Sequence, residues 1–177
     1  MNVRRAWLVT AIGGLALSGG VLAHLWRLGK FSDGPGGPAI RAILDYPMAT
    51  LDARSETLNR FAGKVLVINY WATWCAPCRE EIPLFVKLQD EWEGKGLQFV
   101  GIAIDQVAKV AQFAKEFNIN YPLYVGAIQT MDLSRAAGNK AGVLPYTLIL
   151  RRDGSLATHL TGKVTETRLR DMIAPLL

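Results

Sequence analysis

The stretch from Lys64 to Arg79, KVLVINYWATWCAPCR, decides how this chain is read. Val65-Leu66-Val67-Ile68-Asn69-Tyr70 is nearly all apolar and rich in β-branched residues, which predicts a central strand buried on both faces. From about Ala76 to Trp92, the apolar residues Ile82, Phe85, Val86, Leu88 and Trp92 recur mostly at three- and four-residue offsets, which predicts an amphipathic helix. Cys75 and Cys78, the only cysteines in the chain, therefore sit where a strand hands over to a helix. Unpaired N–H groups and the partial positive charge at a helix start stabilise a thiolate at Cys75. A thiolate attacks disulfides, and a thiol three residues on can attack the mixed disulfide and release the product. Pro77 presets a helical φ near the first turn.

Two other readings of the pair carry less weight. Zinc would need two more ligands, and the only histidines are His24, inside an apolar run, and His159. A purely structural disulfide would close a very small loop and stabilise little through chain entropy. A redox-active pair is the favoured reading.

Outward from this segment, strands and helices alternate. Gly94 and Gly96 stop the first helix, Leu97 to Ile104 reads as a second strand, and Val107 to Phe117 as a second amphipathic helix. Leu123 to Val125 is a short strand, and Met131 to Ala137 a helical turn. Tyr146–Leu150 and Leu156–Leu160 flank Arg152-Asp153-Gly154-Ser155, a hairpin signal, and Glu166 to Leu176 closes the chain as a helix. Upstream, Thr50 to Phe61 alternates weakly and suggests an N-terminal hairpin. The order implies an α/β fold with a mixed central sheet flanked by helices.

The chain has 177 residues, 50% of them hydrophobic and 20% charged, which excludes a mostly disordered protein and fits one domain plus a short extra segment. The net charge of +5 is unevenly placed. Residues 1–30 hold Arg4, Arg5, Arg27 and Lys30 and no acid, which leaves 16 basic against 15 acidic side chains in the rest. A nucleic-acid partner is not expected, because the folded part has no basic footprint. Ala6 to Trp26 carries no Asp, Glu, Lys or Arg, long enough as a helix to span a bilayer core of roughly 30 Å. Trp7 and Trp26 sit at its ends, and Arg4-Arg5 precede it. The expectation is residues 1–5 in the cytoplasm, a transmembrane signal anchor at 6–26, a flexible linker at 27–40 and a folded domain at 41–177. A cleaved signal peptide ending near Val21-Leu22-Ala23 is the competing reading.

With these residues in view, Lys64–Arg79 resembles the active-site segment of the thioredoxin superfamily, most closely its TlpA/ResA-like membrane-anchored thiol:disulfide oxidoreductases. Glu81-Ile82-Pro83 resembles that branch's Glu-x-Pro. Phe99–Asp105 and Phe113–Glu116 resemble its βα insertion, and Leu144–Leu150 followed by Asp153-Gly154 its cis-proline loop and hairpin. The resemblance implies a thioredoxin-like fold over about 41–177, with Cys75 as attacking thiolate, Cys78 as resolving thiol and a Cys75–Cys78 redox disulfide. Glu81 would manage the proton of Cys78, Glu80 beside it being the solvated acid. Pro145 would be the cis-proline, Leu144 would offer backbone hydrogen bonds to substrate, and Trp74 apolar contact. Asn69 stands where thioredoxin has a buried Asp.

The resemblance further implies a monomer without cofactor or metal, acting on protein disulfides and thiols from the periplasmic side of the inner membrane, with a membrane thiol transporter as electron donor. It implies reduction of disulfides, and relatives of this kind serve cytochrome c maturation. Gly142-Val143-Leu144-Pro145-Tyr146 departs, however, from the Gly-Val-x-Gly-x-Pro-Glu loop of the CcmG branch. An oxidant or isomerase would use the same residues. A peroxidase is disfavoured, because its Pro-x-x-x-Thr-x-x-Cys pattern is absent. A metal-handling assembly chaperone would need His159 to join the cysteines.

Overall fold

The computed structural model describes residues 36–177, so the span expected at 6–26 lies outside the described residues. Among the described residues no helix is long and apolar enough to cross a membrane. In chain order the elements are α1 (Gly37–Asp45), β1 (Met48–Thr50), β2 (Ser55–Glu56), β3 (Val65–Trp71) and α2 (Ala76–Trp92). They continue with β4 (Leu97–Ala103), α3 (Val107–Glu116), β5 (Leu123–Val125) and α4 (Ile128–Ala136). A hairpin of β6 (Tyr146–Leu150) and β7 (Leu156–Thr161), then α5 (Glu166–Ile173), complete the fold.

The seven strands form one mixed sheet in the order β2-β1-β5-β4-β3-β6-β7. β3, β4 and β5 run parallel at its centre; β6 pairs antiparallel with β3, and β1 with β5. Because side chains alternate along β3, Val65, Val67 and Trp71 enter one core layer with Phe85, Leu88 and Trp92 of α2 and Leu169 and Ile173 of α5. Leu66, Ile68 and Tyr70 face the opposite layer with Ile40 and Ile43 of α1. All seven residues of β3 are buried, as its continuous apolar run predicts.

Three expectations change. Residues 37–40, expected as the end of a linker, begin α1: Pro38 occupies the first helical turn, where its missing N–H costs nothing, and Ile40 is buried. The turn expected at Met131 is a nine-residue helix starting at Ile128. Its apolar period is hidden because Thr130 and Ser134 are buried, their hydroxyls donating to the carbonyls of Ala127 (2.7 Å) and Met131 (2.8 Å). The last helix leaves α geometry at Ile173, and Ala174–Leu176 form a 3-10 turn around Pro175.

Candidate active site

Parallel strands end at the same edge, and the antiparallel β6 begins there. Tyr70 near the end of β3 pairs with Tyr146 at the start of β6, so the loops carrying Cys75 and Pro145 meet at one end of the sheet. Cys75 is the N-cap of α2, with its carbonyl accepting from Arg79 N (3.1 Å), and Pro77 lies in the first turn. Cys75 and Cys78 are joined by a disulfide. Cys75 retains 6% of its surface while Cys78 retains none, so an incoming group reaches Cys75 first. The Leu144–Pro145 peptide is cis, and Pro145 is buried.

The loop between β3 and α2 is held from below. Asp105, just past β4, accepts hydrogen bonds from Thr73 N (3.2 Å) and from the Thr73 hydroxyl through Oδ2, and from Gln106 N (2.7 Å) through Oδ1. These bonds outweigh its partial burial, and its carboxyl is held below the usual carboxylate range. Ile104 N donates to Trp71 O (2.8 Å), completing the tie between the strand ends. Trp71 is buried against Phe113, with ring centroids 5.2 Å apart. Trp74 points the other way and is 68% exposed. Trp74, Ile104, Met131 and Leu144 wall an apolar groove of about 360 Å³ that Cys75 also lines.

Beneath the cysteines lies a buried polar cluster. Glu81 follows Cys78 by three residues on α2, so the two side chains are neighbours on one helix face. Glu81 is 1% exposed; its Oε1 accepts from Asn69 Nδ2 (2.9 Å) and its Oε2 from Val164 N (3.2 Å). The second Asn69 Nδ2 hydrogen goes to Thr147 Oγ1 (3.1 Å), which the antiparallel register places directly across from Asn69. Burial pushes the Glu81 carboxyl up to about 7, against the smaller opposing pull of the two hydrogen bonds and of Lys163. Glu80, by contrast, is exposed and ion-paired with Lys163.

The sequence-predicted residues Trp74, Cys75, Cys78, Glu81, Leu144 and Pro145 thus gather at one end of the sheet. His159 does not join them. It pairs across the ladder with Leu148, which belongs to the α1 side, and its ring lies 5.8 Å from Tyr146, on the face of the sheet away from α2. Thr147, Val164 and Asp105 had no assigned role at the site. Thr147 carries a legible signal, being the one aliphatic hydroxyl in the run Tyr146–Leu150 that directly follows Pro145.

A dithiol pair at a helix start, beside a cis-proline loop on a mixed α/β sheet, defines a thioredoxin-like thiol–disulfide oxidoreductase. The chain belongs to the AhpC/TSA family, which it matches over residues 40–159. It is 25% identical over 162 residues to the thiol-disulfide oxidoreductase ResA of Bacillus cereus, covering 90% of each chain. Among solved structures it resembles a thioredoxin-family thiol:disulfide interchange protein from Chlorobium tepidum, at 25% identity and a TM-score of 0.67 over 74% of this chain and 92% of that one. A DsbF homologue from Corynebacterium diphtheriae gives 27% and 0.67 over 76% and 85%. The resemblance to TlpA/ResA-like oxidoreductases, the thioredoxin-like fold and the enzymatic class are all borne out.

Proposed function

We propose that this enzyme reduces protein disulfides on the extracytoplasmic side of a membrane, to which residues 6–26 anchor it. The observation that carries the mechanism is the placing, along the start of α2, of a partly exposed Cys75, a fully buried Cys78 and a buried Glu81. In the reduced enzyme the Cys75 thiolate attacks one sulfur of a substrate disulfide; that S–S bond breaks, and the leaving thiolate takes a proton from solvent. Cys78 then passes its proton to the Glu81 carboxylate, and its sulfur attacks Cys75 in the mixed disulfide. The Cys75–Cys78 bond forms, the second substrate thiolate leaves, and two electrons have passed to the substrate. Leu144, Pro145 and Trp74 hold the substrate chain meanwhile. A membrane thiol transporter returns two electrons to the disulfide. Apocytochrome c awaiting haem attachment is the substrate class to which the reading extends.

The reading is tested by alkylating intact cells and trapping partners with Cys78→Ser. A reductant is recovered largely as dithiol, shifts to disulfide when membrane thiol transport is blocked, and its trapped partners are envelope proteins. A wild-type enzyme held as disulfide in unperturbed cells, or trapped partners that are cytoplasmic, would overturn it.

A further inference from the structure

Three consecutive residues between β7 and α5 touch three points of the active site. Gly162 N donates to Pro145 O (2.9 Å), Lys163 Nζ donates to Glu80 Oε2, and Val164 N donates to Glu81 Oε2 (3.2 Å). Adjacent residues of this loop thus hold adjacent acids of α2 that lie 83 residues away in the chain. The segment is fixed at both ends. Thr161 pairs with Tyr146 in the β6–β7 ladder, and Gly162 turns the chain at a φ of 80°, a left-handed value that suits glycine. Thr165 caps α5, its hydroxyl accepting from Arg168 N (3.4 Å). Between these anchors Val164 is buried, while the Lys163 and Glu80 side chains meet at the surface, 49% and 59% exposed.

An exposed ion pair of this kind adds little to global stability. Its consequence is local, because the residue after Lys163 supplies a backbone N–H to the buried Glu81 carboxyl. A hydrogen bond to a carboxylate and a nearby cation both favour its charged form, and burial strengthens each of them. The other groups facing Glu81 bring no positive charge. They are Asn69 from β3, Cys78 from the same face of α2, and Tyr121 before β5, whose hydroxyl is pushed above its ordinary range by burial and then by Glu81. Glu166, at the start of α5, is taken up by Lys87 and Arg170.

We propose that Lys163 and Glu80 form a clasp that positions Glu81: the pair keeps the Val164 N–H on the carboxyl and a cation beside it, and so favours the charged form that accepts the Cys78 proton. Neither residue touches the sulfurs; both act through Glu81. The inference rests on the reading of Glu81 as the acceptor of that proton. Glu80, the solvated acid of the two, thereby gains a part in the resolving step.

The test uses the full chain, reduced and mixed with an excess of a fluorescently labelled peptide disulfide, so that attack by Cys78 limits release of the labelled thiol. In Lys163→Met the inflection of the pH–rate profile should move up by about half a unit, which is about a threefold loss of rate on its acid side. Lys163→Arg keeps the charge and should keep the wild-type profile. Hydrogen exchange at the Val164 amide of the disulfide form should accelerate by about threefold or more in both Lys163→Met and Glu80→Gln. A Lys163→Met profile that superimposes on the wild type overturns the inference. So does an Arg variant that behaves like the Met variant, or Val164 exchange unchanged in both the Met and Gln variants. A Glu81→Gln enzyme that keeps the inflection would instead defeat the assignment of the Cys78 proton to Glu81. Val164 exchange then still decides whether the pair holds the loop on α2.

Discussion

Asn69 donates across 2.9 Å to Glu81, and through this one contact the central strand fixes the carboxyl beside Cys78. An aspartate at position 69 would put a second acid against Glu81; the amide instead uses both its hydrogens, one on Glu81 and one on Thr147. Glu81 is thereby a single proton acceptor, and burial raises it to about 7 against the pull of the Asn69 hydrogen bond, close to the pH at which a general base is most effective. Replacing it with Gln should slow resolution of a mixed disulfide by about a hundredfold at neutral pH. Stopped-flow release of a labelled peptide thiol measures this. The pH–rate profile should lose its inflection near 7, and a Glu81→Gln profile that keeps the inflection would assign the proton to another group.

The same carboxyl makes folding stability fall with rising pH. Glu81 ionises near 4.5 when unfolded and about 7 when folded, so between those values the folded state holds the extra proton. Its stabilisation is full below about pH 4.5, is lost as pH climbs through 7, and is flat above; the drop is on the order of 3 kcal/mol. Urea unfolding of the disulfide form from pH 4.5 to 8 should show the wild type losing stability relative to Glu81→Gln across this window. Parallel curves would place the Glu81 carboxyl at an ordinary value.

Asp105 touches neither cysteine, yet it holds Thr73, two residues before Cys75. Asp105→Ala frees the Thr73 amide and should cost about 1–2 kcal/mol of stability. Hydrogen exchange at the Thr73 and Gln106 amides should accelerate, with a lower kcat/KM on protein substrates. Asn keeps one acceptor and should restore protection at one amide better than the other. Unchanged exchange at Thr73 in the Ala variant would show the loop held by other contacts.

The site was legible where chemistry and periodicity coincide, and obscure where burial is polar. Cys75, Cys78 and the bounds of α2 follow from an apolar strand, a Cys-x-x-Cys and a run of three- and four-residue offsets. Choosing Glu81 over Glu80 needed the resemblance, since the two acids are adjacent near the start of the helix in the sequence; burial tells them apart. Thr147 shows as a hydroxyl in an apolar run, but its pairing with Asn69 depends on register between strands far apart in sequence, and Val164 meets Glu81 only through the loop between β7 and α5, so no local pattern carries either contact. α1 escaped because Gly36-Gly37-Pro38 reads as a linker until Ile40 and Ile43 have a sheet to pack on.

Gly101 belongs to the same hidden class. A Cβ there would lie 2.6 Å from Leu123 Cδ2 and 2.9 Å from Trp71 Nε1, both in the core. Gly101→Ala should therefore cost about 1–3 kcal/mol, read as a lower urea midpoint. Because the displaced Trp71 closes the strand leading to Cys75, activity should fall further than stability alone dictates. A fully stable variant would mean that Leu123 yields without cost.

Cys75 caps a 17-residue helix, so it stands at the end where the first-turn N–H groups lack intrahelical partners. Those groups and the helix dipole favour the thiolate, so the reduced enzyme should be alkylated by iodoacetamide with a half-maximal rate well below pH 8.5, the value for a free thiol. Cys78 is fully buried and should lag far behind in the same reaction, with mass spectrometry separating the two sites. An Ala76→Pro change tests the electrostatic origin. It removes one first-turn N–H group at a position that proline tolerates. The Cys75 profile should move toward higher pH in that variant, with Cys78 still slow. A Cys75 profile centred near 8.5 in the unaltered protein would mean that the helix start contributes nothing, and attack at neutral pH would need another activating group.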